Sequence, residues 1–478
     1  MKKVVAITLM LTIIFSCKKE VKTMEQQTVE IEETKDSIAP LTDEVVETAV
    51  IYEANIRQYS PEGTFNAFTK DIPQLRELGV KIIWVMPIFP ISETKRKATG
   101  GPESKFATEM PVEEQSKYLG SYYAVTDYTK INPEFGTIED FRELVRTAHS
   151  NGIYVILDWV PNHTGWDHIW IKEHPEYYTH NENGEITHPE GTDWTDTADL
   201  NYDNQDMRKE MIEDMMYWVK DENIDGFRCD VAGYVPTDFW EQAIPQLRSV
   251  KPLFMLAEND DPKLMKGNGL FDMGYGWKLH HLMKELYRGE KTLKDYADFL
   301  EFIKTNYESD DILMNFVANH DENSWSGTVE ELYGAASHLM TAFAYVSPGM
   351  PLIYSGQEYD LNHRLKFFEK DSIPKTKGKT WDLLAKLGKL KNENIALNGG
   401  KTKAAYTIAE TSNNKILKMT REKNGVKLTF IANFSNEEQT EKGLLFGKYL
   451  NVITEQKEDY GEGQIVTIQP WDFKILID

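Results

Sequence analysis

Between Val45 and about Leu397, short apolar runs alternate with amphipathic helical segments, and this alternation constrains the fold more than any other feature. The helical segments include GTIEDFRELVRTAHSNG, FNAFTKDIPQLRELG and DMRKEMIEDMMYWVKDEN. The strand-length runs are AVIYEANI, KIIWVMPIF, YVILDWV, IDGFRCDVA, PLFMLAEN, LMNFVANH and PLIYSGQE, with LFDMGYGW as a weaker run that completes eight. Repeated strand–helix units form a parallel sheet, and a closed (β/α)₈ barrel is the economical arrangement. We therefore predict an α/β fold with a TIM barrel at residues 48–396.

Two regions depart from the alternation. Residues 164–203 follow the third strand and are too long and too rich in Asp, Asn, Trp and Tyr for a plain connection, which predicts a protruding subdomain. Residues 397–478 change to short alternating runs, and KILKMTREK-NG-VKLTFIANF is a strong hairpin signal. The chain is therefore expected to end in an antiparallel β-sandwich domain.

The amino-terminal end has the pattern of an export signal. Lys2 and Lys3 precede an apolar run too short to span a bilayer, and Cys17 follows it. Residues 1–17 resemble a lipoprotein signal peptide, with lipidation of Cys17 as the anchor. An ordinary secretory signal with a chance cysteine is the alternative. Residues 18–47 are polar and poor in aromatic side chains, which predicts a disordered tether.

The charge balance limits the partners of the chain. It carries 53 basic and 77 acidic residues, a formal net charge of −24. Such a charge disfavours binding to nucleic acid or to an anionic membrane surface. Membrane association is therefore expected only through the lipid anchor, and a neutral or cationic ligand is favoured.

Polar side chains gather where the predicted strands end, at the rim on which barrel enzymes build their active sites. They are Asp158, Asn162, His163, Arg228, Asp230, Glu258, His320 and Asp321. Strand alternation places Arg228 and Asp230 toward the barrel axis, and Phe227, Cys229 and Val231 beneath the helices. Each residue also has a structural explanation when taken alone, such as an ion pair for Arg228 and Asp230 or a helix cap for Glu258. Their convergence on one rim favours catalysis.

The same segments resemble the signature regions of the alpha-amylase family, glycoside hydrolase family 13, in the order of that family. The matching segments are DWVPNH, GFRCDVAGY, MLAEND and FVANHD, together with YLGSYYAVTDYTKINPEFGT, TADLN and PGMPLIYSGQE. The resemblance extends from about Val50 to the end of the chain. It implies cleavage of glycosidic bonds with retention of configuration, which needs a nucleophilic carboxylate and a second carboxyl group as acid and base.

The resemblance also implies a role for each residue. Asp230 matches the nucleophile, Glu258 the general acid/base and Asp321 the third carboxylate of the family. The residues that match substrate-binding positions are Arg228, His163, His320 and Tyr123, and Tyr234 follows as an aromatic platform on the leaving-group side. The charge of Arg228 is expected to lower the pKa of Asp230. The inserted segment KATGGPESKFATEMPVEEQSK, residues 97–117, is expected to roof part of the cleft.

A structural calcium ion is a further implication of the resemblance. Asn162 and Asp199 match calcium ligands that hold the protruding subdomain to the barrel in many relatives, and oxygen ligands suit calcium. The alternative is that both side chains only hydrogen-bond loop backbone. The chain also resembles surface amylases of glycan-foraging Gram-negative bacteria, which implies an exported outer-membrane lipoprotein.

Three function classes follow from the sequence. The favoured class is a retaining hydrolase of α-1,4-glucosidic bonds in starch or malto-oligosaccharides. The second is an α-1,6-glucosidase, a neopullulanase-type enzyme or a transglycosylating enzyme with the same catalytic residues. The third is a non-catalytic glucan-binding relative, which usually lacks one of the three carboxylates that this chain retains.

Overall fold

The computed structural model describes residues 38–478. The signal peptide predicted at residues 1–17, with Cys17, and the tether residues 18–37 lie outside this part of the chain. Within it, no helix combines the length and the apolar character that a bilayer crossing requires.

Eight parallel strands form a closed barrel, as the alternation of the sequence predicts. A small antiparallel pair, β4 and β5, branches from it. The strands up to the end of the barrel are β1 (Val50–Ala54), β2 (Val80–Val85), β3 (Tyr154–Trp159), β4 (His163–Gly165), β5 (Thr197–Asp199), β6 (Gly226–Cys229), β7 (Phe254–Ala257), β8 (Met273–Tyr275), β9 (Ile312–Asn315) and β10 (Met350–Tyr354). Neighbours around the barrel run β1-β10-β9-β8-β7-β6-β3-β2, and β2 returns to β1. Both faces of these strands are buried, which explains their nearly continuous apolar sequences.

Helices surround the barrel and cover it with their apolar faces. They are α1 (Asp43–Thr48), α2 (Ile56–Tyr59), α3 (Phe65–Thr69), α4 (Ile72–Leu75), α5 (Ile138–Ser150), α6 (Trp170–Glu173), α7 (Gln205–Lys220), α8 (Thr237–Arg248), α9 (Trp277–Arg288), α10 (Leu293–Asn306), α11 (Val329–Tyr333), α12 (Ser337–Val346) and α13 (Lys379–Glu393). Thr137 and Asp140 form a capping box at the start of α5, which satisfies backbone N–H groups that the first turn leaves open. The predicted face of α5 is buried in the core.

The single helix predicted from Phe65 to Leu78 is wrong, because the structure breaks it into α3, α4 and a 3₁₀ turn. Pro73 lies in the first turn of α4, where its missing N–H costs nothing. In a continuous helix, the same proline would remove a hydrogen bond and clash with the preceding turn. Proline therefore sets the start of a new helix here.

Residues 38–47 correct the predicted extent of the disordered tether. Ile38, Leu41 and Val45 pack against the apolar interior of the barrel, and the Tyr154 hydroxyl donates to the Ala39 carbonyl at 3.0 Å. Tyr154 is the first residue of β3, so this segment covers the amino-terminal end of the barrel. The segment has few apolar residues, but Ile38, Leu41 and Val45 all contact this core.

The protruding segment after β3 is anchored by the β4–β5 pair, in which His163 lies opposite Asp199. Beyond it, the chain carries short α6 and loops rich in hydrogen bonds between side chains and backbone. This anchor places the loop that contains Trp194 beside the carboxyl ends of the barrel strands.

The carboxy-terminal region is an antiparallel sheet domain. Its strands are β11 (Ala405–Ile408), β12 (Ile416–Lys423), β13 (Val426–Asn433), β14 (Gln439–Lys442), β15 (Gly447–Asn451), β16 (Gln456–Tyr460), β17 (Ile465–Ile468) and β18 (Phe473–Ile477). Asn424 and Gly425 both have positive φ angles, 52° and 82°, as the predicted two-residue hairpin between β12 and β13 requires. Phe430 stacks on Phe343 of α12 at 6.1 Å, which joins this domain to the barrel.

Candidate active site

A cavity of about 440 Å³ opens at the carboxyl ends of the barrel strands. It has the size and position of a substrate site in a barrel enzyme. Its walls include Tyr123, His163, Asp230, Glu258, His320 and Asp321. The structure thus brings together six of the residues that the sequence assigns to catalysis or sugar binding.

Arg228 lies beneath this cavity, fully buried, and joins three carboxylates. Its Nη1 atom is 2.8 Å from Asp158 Oδ1 and 3.0 Å from Asp230 Oδ1, and its Nη2 atom is 2.7 Å from Glu258 Oε2. The guanidinium also lies over the Trp84 ring, 4.8 Å from its centroid. One cation therefore fixes the positions of both Asp230 and Glu258, the pair that the chemistry requires.

The protonation of Asp230 differs from the sequence expectation. Burial raises the pKa of Asp230 well above its ordinary value, and the charge of Arg228 opposes that rise without cancelling it. Burial also raises the pKa of Asp158 to about 6. Because both side chains are buried in a dry site, Asp158 and Asp230 hold a proton more readily than carboxylates in water do. Arg228 thus lowers the pKa of Asp230 in the expected direction, but burial outweighs the ion pair and the net pKa is raised.

Val231 also differs from its predicted position. Strand β6 ends at Cys229, and Val231 adopts a positive φ of 35° and lines the cavity, whereas Phe227 and Cys229 pack under the helices as predicted. Positive φ is strained for a β-branched residue. The turn points the Val231 N–H at Glu258 Oε2, which accepts it at 2.7 Å. Backbone strain here helps to hold the candidate acid/base.

His320 is held from behind by Glu53, a residue that the sequence analysis did not select. Glu53 is the fourth of the five buried residues of β1, and its Oε1 atom is 2.5 Å from His320 Nδ1. The Tyr123 hydroxyl lies 2.8 Å from His320 Nε2. Burial lowers the pKa of His320, but the charges of Asp321 and Glu53 outweigh it and raise that pKa to about 9. The histidine is therefore a cation at neutral pH, packed between two acids.

This ion pair predicts a loss of stability at alkaline pH. The pKa of His320 is raised from 6.5 to about 9 in the folded state, so its contribution is complete below pH 6.5 and disappears as the pH rises to about 9. At most about 3 kcal/mol of the free energy of unfolding depends on it. We expect Glu53→Gln to flatten this dependence, measured by denaturant unfolding at pH 6.5 and pH 9.5. If the free energy of unfolding changed equally between these two pH values in the wild type and the variant, Glu53 would not be a cause of the raised pKa of His320.

His163 has the opposite protonation state. Burial lowers its pKa to about 3, so the ring is neutral. The Asn162 Nδ2 atom lies 3.3 Å from His163 Nδ1, and an amide nitrogen can only donate. His163 Nδ1 therefore accepts, which leaves the proton on Nε2 as a donor for a sugar hydroxyl in the cavity.

Aromatic side chains form much of the remaining wall. Trp325 and Phe367 lie 5.3 Å apart, and Phe367 stacks parallel to Tyr123 at 6.4 Å. Tyr234, predicted as a platform, is 64% exposed and stacks on Trp194, and it is Trp194 that lines the cavity. The predicted platform is thus a pair of rings in which Tyr234 is the outer member.

Two family models match this chain. The alpha amylase catalytic domain model covers residues 32–288, and the beta-galactosidase C-terminal domain model covers residues 418–477. The first match spans more than half of the chain and includes Asp230 and Glu258.

The chain belongs to the alpha-amylase family.

Solved structures support this assignment. An alpha-amylase from Lactobacillus plantarum is 29% identical, with a TM-score of 0.78 over 91% of this chain and 100% of that one. A maltogenic alpha-amylase from Thermotoga neapolitana is 28% identical, with the same TM-score over 91% of this chain and 99% of that one. This alpha-amylase family protein therefore has the fold that the sequence predicts.

Curated relatives match more locally. Alpha-amylase 3 of Dictyoglomus thermophilum is 26% identical over 352 residues, 65% of this chain and 64% of that protein. A cyclomaltodextrin glucanotransferase from Bacillus is 26% identical over 404 residues, 72% of this chain and 53% of that protein. The chain thus matches between half and two thirds of the length of these relatives.

The backbones of the two predicted calcium ligands lie close together in this alpha-amylase family protein. Asp199 of β5 is opposite His163, next to Asn162, and the Asn162 carbonyl accepts from the Leu200 N–H at 3.2 Å. Burial raises the pKa of Asp199, and none of the described residues forms an ion pair with it within 4 Å. No group of three or more His, Cys, Asp or Glu side chains among residues 38–478 could hold a metal ion. One carboxylate and one amide fit calcium only if backbone carbonyls or water complete the ligand set.

Proposed function

We propose that the enzyme is a retaining hydrolase of α-1,4-glucosidic bonds in starch or malto-oligosaccharides. The observation that carries the proposal is the pair of contacts by which Arg228 holds both Asp230 and Glu258 at one cavity. Two carboxyl groups fixed side by side are the requirement of the two-step reaction.

The residues divide the reaction between them. Asp230 attacks the anomeric carbon while Glu258 gives its proton to the departing glycosidic oxygen, and a glycosyl ester forms on Asp230. Water then attacks the same carbon, loses a proton to Glu258 and releases Asp230. Glu258 Oε2 is held by Arg228 and the Val231 N–H, which leaves Oε1 for the proton transfer. Asp321, neutral His163 and cationic His320 are placed to hold sugar hydroxyls.

The proposed preference for α-1,4 linkages depends on the residues that contact the leaving group. Trp194 and Tyr234 stack on one another at 6.2 Å, so their rings form an extended apolar surface beside Glu258. A helical α-1,4 chain presents the apolar faces of successive sugars to such a surface. An α-1,6-glucosidase, neopullulanase-type or transglycosylating enzyme is the second candidate, since the same pair of rings also suits a sugar acceptor.

Matched trisaccharides test the proposal. We expect kcat/KM for maltotriose to exceed that for isomaltotriose, with trehalose hydrolysed least. NMR of fresh product should show the α-anomer, because two displacements at one carbon restore its configuration. A kcat/KM for isomaltotriose equal to or above that for maltotriose would favour the second candidate, and a β-anomeric product would rule out the covalent route.

We also propose a structural calcium ion bound by Asn162 and Asp199. The support is the half-buried Asp199 carboxylate, which lies at the base of the protruding subdomain close to Thr179 and His188. With one charged ligand the site binds weakly, so calcium at millimolar concentration is expected to raise the unfolding temperature of the chelator-treated protein by a few degrees. Asp199→Asn should lose this response, whereas Asp203→Asn, an exposed aspartate four residues later, should keep it. An unchanged response in Asp199→Asn would place calcium elsewhere.

Lipidation of Cys17 and display on the outer membrane are proposed from the sequence alone. The support is the basic and apolar segment that precedes Cys17. Mass spectrometry of the mature protein isolated from its native membrane is expected to find an acylated cysteine at the amino terminus. A mature amino terminus at any other, unmodified residue would contradict it.

A further inference from the structure

The inserted segment at residues 97–117 is a folded lobe that belongs to the cavity wall. Lys97 and Phe106 pair as an antiparallel bridge, and the Ala98 N–H donates to the Lys105 carbonyl at 2.8 Å. Its apolar side chains form a small core of their own, made of Ala98, Ala107, Met110 and Tyr118. The tip residues Gly100 and Gly101 line the cavity.

The lobe is fixed to two other parts of the molecule. At its carboxyl end, the Leu119 N–H donates to the Phe368 carbonyl at 2.7 Å, in the loop after β10. At its amino end, the Lys97 ammonium donates to the Asp193 carbonyl and lies 3.7 Å from Asp196 Oδ1. Lys97 and Asp196 are both buried, so this ion pair is not screened as a surface pair would be. The lobe therefore connects the loop after β10 to the protruding subdomain.

The tip of the lobe meets Trp325 without a gap. A Cβ atom on Gly100 would lie 2.6 Å from Trp325 Cη2, closer than real contacts allow. Trp325 in turn packs on Phe367 and Phe368 at 5.3 and 6.0 Å. Gly100 thus allows the Trp325 ring to approach the backbone of the lobe closely, and a larger residue there would displace the ring.

The order of the barrel strands shows which end of the cavity is closed. Glu258 follows β7, and β1 is the strand diametrically opposite, flanked by β2 and β10. The lobe follows β2, Trp325 follows β9, and Phe367 and Phe368 follow β10. In the proposed reaction, the leaving group lies on the side of Glu258, which protonates it. The wall therefore closes the glycone side, where the non-reducing end of an α-1,4-glucan lies.

We propose that this wall makes the enzyme exo-acting: it attacks α-1,4-glucans from the non-reducing end and releases a short product of uniform length. The inference rests on the proposed hydrolase function. Gly100 and Trp325, a residue that is 48% exposed, line one end of the cavity of about 440 Å³, and their contact would obstruct a longer chain on the glycone side. The distance from Asp230 to this wall would then set the length of the product.

Paired substrates test the inference. p-Nitrophenyl α-maltoheptaoside is hydrolysed by exo-acting and endo-acting enzymes, and the same compound with its terminal 4- and 6-hydroxyls bridged by an ethylidene group is closed to exo attack. With a coupling α-glucosidase present, we expect the wild type to cleave the blocked substrate at least about tenfold more slowly, because a closed pocket rejects the added group. Early products of the unblocked substrate should be a single short oligosaccharide. Equal rates would overturn the inference and leave the hydrolase function intact, whereas cleavage of neither substrate would overturn the proposed function as well.

The variant Trp325→Ala tests whether the ring of this residue blocks the glycone end of the cavity. Removal of this ring should open the closed end, raise the rate on the blocked substrate relative to the unblocked one and broaden the product range. Val112→Ala is the control, because Val112 lies in the lobe whose tip contacts Trp325 but is 82% exposed and does not line the cavity. A Trp325→Ala protein that unfolds cooperatively and still rejects the blocked substrate would overturn the assignment of the wall. If that variant fails to fold, the two rates of the wild-type enzyme decide the inference.

Discussion

Asp230→Asn is expected to reduce kcat on malto-oligosaccharides by at least about 10³-fold while the protein stays folded. The amide keeps the shape of the side chain and can still lie against Arg228, but it cannot form the glycosyl ester. Stopped assays of maltotriose cleavage measure the loss, and thermal unfolding checks that the fold is retained. Part of the residual rate in such a variant comes from deamidation, so fresh protein should be assayed.

A matched aspartate provides the control for this variant. Asp260 lies two residues after Glu258, pairs with Lys278 at 2.8 Å and does not line the cavity. Asp260→Asn should change kcat by less than about twofold, in keeping with a partly exposed ion pair. Near-normal turnover in Asp230→Asn would show that another group is the nucleophile.

Glu258→Gln is expected to lower kcat on natural oligosaccharides by about 10² to 10⁴-fold, because it removes the proton donor. The loss should be much smaller for the first step on a 2,4-dinitrophenyl glycoside, whose phenolate leaves without a proton. Azide should then restore turnover, since an anionic nucleophile needs no general base to attack the glycosyl ester. Pre-steady-state release of the phenol, followed by analysis for glycosyl azide, measures both effects.

This combination separates a proton donor from a residue that only supports the site. Glu241→Gln on the exposed face of α8 is the matched control and should behave as wild type on both substrates. An equal loss on the natural and the activated substrate, with no effect of azide, would indicate that Glu258 acts by holding Arg228 in position.

The sequence predicted the barrel and the convergence of three carboxylates at one rim, because both depend on local order along the chain. Eight apolar runs and their helices fix the number of strands, and the strand ends fix the rim on which Asp230, Glu258 and Asp321 meet. The resemblance of the motifs to those of the alpha-amylase family then implied a role for each carboxylate, although the distances between the carboxylates were not known.

The sequence could not predict features that arise from contacts between distant segments. Glu53 is a single acid in an apolar run, and its partner His320 is 267 residues away. A charged residue within an apolar strand was a usable signal for a functional site, and Glu53 and Arg228 both have this pattern. Trp194 and Trp325 lie in loops without periodicity, so nothing in their surroundings marks them as cavity walls. The raised pKa of Asp230 depends on burial, which only the folded chain defines.

The segment from Ile38 to Thr48 enters β1 from the floor of the barrel, opposite the rim that carries the cavity. A membrane, a fused domain or a solid support that is joined to the chain at Ile38 would therefore lie on the far side from the catalytic opening. Immobilisation through the amino terminus should leave the entrance facing the surrounding solution, where a large insoluble substrate can reach it.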